Sequence, residues 1–375
     1  MKRILCLFLI LFSLQAFGQK KFQKSINISY ESGPFTGTGD EWSNTLNEII
    51  EFRAIDVKVG WKKLKPDHME HLYRFPTLGF GFTTALPYFE EIGRPMAFYT
   101  FMDLPFERYS PDKKLRFGMF GQMGIGFNAN PYDEVANPLN NYLGSQMNIY
   151  VHLGLNASYK VTKSIDLTTS VGLKHYSNGA STKPNKGLNM VPLSIGLRTY
   201  LGPGIQEADR EPQYPDLEKR GFWNFALYTG VRNYEIGDPA YFRGGLGVNY
   251  LWEASYKYRL GLGVDMFYAA GLEDRYPGED FNLGDKASVA IVGSWEWKLT
   301  EQLYVPIALG VYVHRTDLNQ EITQYYERIG VRWRTKSGFF TGLSIKAHKA
   351  KADFFEFTFG YTVPGKVKYV RSPKN

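Results

Sequence analysis

Residues 147–159 read MNIYVHLGLNASY. Side chains alternate faces along an extended chain, so Met147, Ile149, Val151, Leu153, Leu155 and Ala157 share one side. Asn148, Tyr150, His152, Gly154, Asn156 and Ser158 share the other. A period of two with one apolar face is the mark of a β-strand. The pattern recurs at about 22–31, 51–61, 75–86, 95–104, 114–128, 163–176, 189–201, 220–232, 241–256, 258–270, 286–298, 302–314, 323–333, 337–348 and 353–362, giving roughly sixteen strands.

A soluble sheet places charges on the outward face of most strands. Here the face opposite the apolar one is largely Gly, Ser, Thr, Asn and Tyr, and Trp295 and Trp297 fall near a strand end, where an interfacial girdle puts them. With 38 glycines, 43% apolar residues, 16% aromatics and a mean hydropathy of -0.31, the composition suits an apolar outside around a polar inside. Beyond residue 18 no stretch has the length and apolarity of a membrane-spanning helix, which excludes a helical membrane protein. The expected fold is all-β, a transmembrane antiparallel β-barrel of about sixteen strands in one barrel, which removes every sheet edge. Two consecutive eight-stranded barrels are the alternative.

Connection lengths bear on orientation, because outer-membrane barrels have short periplasmic turns and longer outer loops. With a periplasmic N-terminus the outer set includes 32–50, 129–145, the loop after Tyr176 and 271–285, and the inner set includes Val161-Thr162, Leu299 to Glu301 and Thr335-Lys336. Two inner connections, 62–74 and 202–219, break the rule. The second is polar, charged and Pro-bearing, so it divides an N-terminal barrel half, 19–201, from a C-terminal half with a basic tail, 220–375. Residues 1–18 read as a signal peptide: Lys2 and Arg3, an apolar run from Ile4 to Leu14, then small residues at Ala16 and Gly18. The only cysteine, Cys6, lies inside it, so the mature chain would have no disulfide, thiolate metal site or cysteine nucleophile. A net charge of +7 suits an anionic lipid surface, and no compact basic patch or motif points to nucleic acid.

The chemistry concentrates in residues 165–201, IDLTTSVGLKHYSNGASTKPNKGLNMVPLSIGLRTYL. Ile165, Leu167, Thr169, Val171, Leu173, His175 and Ser177 share one face, so a His and a Ser lie on the apolar, lipid-facing side of the wall at the outer surface. An ionisable group facing hydrocarbon is a functional candidate. A His beside a Ser is the minimum for acyl transfer, the imidazole taking the hydroxyl proton and the oxygen attacking an ester carbonyl. The competing reading is a polar girdle at a strand end.

The longer pattern, His175-Tyr-Ser177-Asn178-Gly-Ala followed by Pro184-Asn185-Lys-Gly187-Leu-Asn189, resembles the signature of the PagL-type lipid A 3-O-deacylases, outer-membrane barrel esterases. The resemblance is specific over 173–189. It implies His175 as general base, Ser177 as nucleophile and Asn185, with Asn178, at the oxyanion, with lipid A or lipopolysaccharide as substrate, the outer membrane as location and no cofactor or metal. It also places the family's triad glutamate on Asn189, on the same face as His175. A neutral amide can orient an imidazole but cannot stabilise imidazolium by charge. A working Ser-His-Asn variant, another acid, or a degenerate site are the three readings.

The non-enzymatic alternative is a channel or structural barrel whose lumen would be lined by Asp56, His152 and Asn156. His152 and His314 fall on the lumen face. His68 and His71, in PDHMEH, lack an identifiable third ligand and read as part of a turn rather than a metal site.

Overall fold

Alternation of apolar and small polar residues leaves the chain one stable way to satisfy its backbone in a membrane, a ladder closed on itself. A computed structural model describes residues 22–36, 51–64, 67–86, 88–107, 110, 112–202 and 214–371. The proposed signal segment and most of 202–219 lie outside them.

In the first compact unit the strands are β1 (Phe22–Pro34), β2 (Glu51–Lys63), β3 (Thr77–Ala85), β4 (Gly93–Pro105), β5 (Leu115–Ala129), β6 (Asn148–Lys160), β7 (Ile165–Ser177), β8 (Leu188–Met190) and β9 (Leu193–Leu201). Each pairs antiparallel with the next as far as β7, and β7 pairs with both β8 and β9. β9 then pairs with β1, Lys24 against Leu201 through Ser32 against Leu193, and closes the ring. β8 and β9 together are one eighth strand, interrupted at Val191 and Pro192, where proline has no N–H to give the ladder.

The second unit contains β10 (Leu217–Arg232), β11 (Tyr241–Glu253), β12 (Tyr258–Ala269), β13 (Ala287–Lys298), β14 (Leu303–His314), β15 (Tyr325–Arg334), β16 (Phe339–His348) and β17 (Lys351–Arg371). β17 returns to β10, Phe225 against Tyr361, and closes a second barrel. The sixteen-stranded, all-β antiparallel architecture is therefore present as two closed eight-stranded barrels. The single large barrel preferred from the sequence gives way to its alternative. The reason is pairing: the last strand of each half takes the first strand of its own half, leaving no edge for the other.

Both walls turn their apolar side chains outward. Phe98 (63% exposed), Leu193 (62%) and Ile195 (58%) belong to the belt of the first barrel, and Leu262 (61%) and Ile291 (56%) to that of the second. Apolar belts of this extent are stable only against lipid.

The interiors are filled by paired polar groups. In the first barrel Lys174 is bonded to Glu31, Tyr99 to Asp56, and Tyr150 donates to Gln122 Oε1 at 2.6 Å. Asp56 and His152 are fully buried there and Asn156 is half-buried. In the second barrel Arg328 spans Asp265 (2.6 Å) and both oxygens of Glu356 (2.5 and 2.9 Å), and Arg334 grips Glu296 with one nitrogen (2.8 and 3.0 Å).

Two local expectations change. His314 is exposed and faces the Gly284 carbonyl oxygen at 2.9 Å, because the β13–β14 register slips between Val289 and Ala290 and breaks the alternation at the strand end. The segment holding His68 and His71 is a short helix, α1 (His68–Leu72), rather than a plain turn. Asp67 and Glu70 close a reciprocal capping box at its start.

Candidate active site

β7 runs to its last two outward positions with His175 and Ser177. Strand alternation sets them on one face. Across the ladder His175 is the Cα partner of Asn189 in β8, so the amide arrives beside the ring as a cross-strand pair.

The three side chains form one chain of hydrogen bonds. His175 Nε2 lies 2.8 Å from Ser177 Oγ, and His175 Nδ1 lies 2.6 Å from Asn189 Oδ1. The amide is oriented by its other end, since Asn189 Nδ2 donates to the Gly187 carbonyl at 3.3 Å. Its oxygen therefore faces the ring, which requires the proton on Nδ1 and leaves Nε2 as the acceptor for the serine hydroxyl. Ser177 is only 6% exposed, while His175 and Asn189 are half-buried. An imidazole held in this tautomer can take the serine proton as the oxygen attacks a carbonyl.

The backbone around the triad is fixed from two sides. Thr36 N donates to the Asn189 carbonyl at 2.9 Å, beside the bridge between Phe35 and Met190. Gly187 N donates to the Tyr142 carbonyl at 3.0 Å, and Lys186 N to that of Asn141 at 3.4 Å. Tyr142 and Leu143 are buried, and Asn140 Oδ1 accepts from both of their N–H groups at 3.0 and 3.2 Å. Gly187 has φ +78°, and a Cβ there would sit 2.5 Å from His175 Cε1. The glycine of P-N-x-G is thus the residue over which the imidazole lies, a role the sequence pattern quoted but did not explain. Nothing local in the sequence pointed to Tyr142.

Asn178 and Asn185 pair with each other: Asn178 N donates to Asn185 Oδ1 at 3.0 Å, and Asn178 Nδ2 donates to the Thr182 carbonyl at 2.9 Å. Residues Asn178–Asn185 group with the second compact unit, whereas Ser177 and the segment from Lys186 group with the first. Among the described residues no group of three or more His, Cys, Asp or Glu side chains is arranged to hold a metal ion.

Two family models match the chain. Residues 55–198 match the model described as Lipid A 3-O-deacylase (PagL), and residues 221–366 match PagL_C, described as Acyloxyacyl hydrolase, C-terminal domain. No curated protein matches. Among solved structures, Neisserial surface protein A (NspA) is 12% identical, over 48% of this chain and 96% of that one, with a TM-score of 0.28. OccAB4 of Acinetobacter baumannii is 9% identical, over 92% of this chain and 99% of that one (TM-score 0.25). The BenF-like porin of Pseudomonas fluorescens Pf-5 is 8% identical, over 92% and 98% (TM-score 0.23).

Proposed function

The chain belongs to the PagL family of lipid A deacylases, hydrolases of the outer membrane, and we propose that it cleaves a fatty acyl ester of lipid A at Ser177. The observation that carries this is the unbroken chain from Ser177 Oγ through the His175 ring to Asn189 Oδ1.

As Ser177 Oγ attacks the ester carbonyl, its proton passes to His175 Nε2 and the carbonyl oxygen becomes an oxyanion. Asn185 Oδ1 already accepts from Asn178 N–H, so the Asn185 Nδ2 hydrogens are the donors assigned to that oxyanion. Collapse breaks the bond to the sugar oxygen, which leaves with the proton from His175. Water then hydrolyses the acyl-serine, with His175 again as base, and free fatty acid departs. Asn189 holds the ring and its tautomer throughout. Being neutral, it adds orientation without the charge that a glutamate would set against the imidazolium.

The outward facing of the site fits a substrate whose acyl chains lie in the bilayer, since the wall below Ser177 carries the exposed Leu173 and Val171. Fatty acid released from purified lipid A by the full chain in detergent, and none released by Ser177→Ala, is the result expected. Equal release by both would remove Ser177 from the role.

A further inference from the structure

We propose that Asn140, in the loop between β5 and β6, is a positioning residue for the reaction at Ser177. It fixes the two peptide units that hold Lys186 and Gly187, and through Gly187 it sets the place of the His175 ring. The inference rests on the deacylase reading and deepens it, since it assigns part of the site's geometry to a residue outside the triad.

Asn140 is 1% exposed and uses the full hydrogen-bonding capacity of its amide. Its Nδ2 donates to the carbonyls of Asn130 at 2.8 Å and Glu91 at 3.2 Å, which ties the loop to the connection between β3 and β4. Its Oδ1 accepts from Tyr142 N at 3.0 Å and Leu143 N at 3.2 Å. Leu143 is fully buried, and its carbonyl accepts from Tyr132 N at 2.7 Å, which closes the loop on itself.

A trans peptide unit points its N–H and its C=O in opposite directions. The unit joining Asn141 to Tyr142 has its N–H on Asn140 Oδ1, and its carbonyl receives Lys186 N at 3.4 Å. The unit joining Tyr142 to Leu143 has its N–H on the same oxygen, and its carbonyl receives Gly187 N at 3.0 Å. One side-chain oxygen thus holds the far end of both bonds that reach the P-N-x-G segment.

Gly187 in turn meets both of the groups that prepare the serine. A Cβ on it would lie 2.5 Å from His175 Cε1, and its carbonyl accepts from Asn189 Nδ2 at 3.3 Å. Displacing Gly187 therefore moves the imidazole and its orienting amide together, and a misplacement of about 1 Å can cost about a hundredfold in rate. Without Asn140 Oδ1, two N–H groups of a buried stretch lose their acceptor and the loop must move to find another.

A fluorophosphonate probe, which captures a serine that a neighbouring base has activated, reads the site without lipid. In detergent-refolded full chain, Asn140→Ala should lower the labelling rate of Ser177 about tenfold, and kcat on lipid A per labelled site by the same factor with KM unchanged. A residue that only holds the fold would lower the number of sites that label and leave the rate of each unchanged; that result would overturn the proposal. In the Gly187→Ala background the same substitution should cost less than about twofold, because its effect passes through Gly187, and fully multiplicative losses would overturn that route. Labelling of the unsubstituted chain with no fatty acid released from lipid A would strike the function above and leave the role of Asn140 standing on the labelling rates.

Discussion

Asn189 Oδ1 stands 2.6 Å from His175 Nδ1, a neutral amide at the position where the resemblance to the family puts a glutamate. The geometry of an orienting residue is complete while its charge is missing. Asn189→Ala should lower kcat by roughly tenfold to a hundredfold, the loss expected when a hydrogen bond to a group that becomes charged is removed. Asn189→Asp keeps the shape, adds the charge and should raise kcat by about tenfold. Steady-state kinetics on lipid A in mixed micelles checks both. A fall in kcat for the Asp variant would contradict this account of the triad.

Gly187 tests whether the backbone under the imidazole is set by sterics. At φ +78° an alanine is strained by about 1–3 kcal/mol, and its methyl would collide with His175 Cε1. Gly187→Ala should leave a folded barrel, seen as an unchanged far-ultraviolet circular dichroism spectrum, and reduce kcat by on the order of a hundredfold through misplacement of the ring. Full activity would show that the imidazole can shift without cost.

Much of this was legible before the structure. Alternation identified the strands, and the positions of His175, Ser177 and Asn189 within it gave their common face, because facing depends only on the parity of residue number along a strand. Closure was not legible. Parity says which way Leu193 points but not that it pairs with Ser32, and so could not tell one ring from two. Pro192, which splits the eighth strand, and the Asp67 to Glu70 capping signal ahead of His71 are local features of the sequence that a period-two pattern does not register. The Asn185 to Asn178 bond depends on loop geometry that no periodicity encodes.

The interior of the second barrel depends on Arg328, 3% exposed and shared by Asp265 and Glu356. Arg328→Met leaves two carboxylates buried with their shared cation gone, which should cost roughly 3–5 kcal/mol. The checking measurement is urea unfolding in detergent, and the expected result is a clearly lower midpoint.

A lumen packed with such pairs should not conduct. The reconstituted chain in a planar bilayer is expected to give no steady ion current, in contrast to the channel alternative. Stable conductance steps would show that the ion pairs of the lumen open in the membrane.

The central claim is an ester cleaved by Ser177, and mass spectrometry of lipid A after incubation with detergent-refolded full chain tests it most directly. The account predicts a product lighter by one acyl chain with the unsubstituted protein and an intact lipid A with Ser177→Ala. An intact acyl complement with both proteins would contradict it.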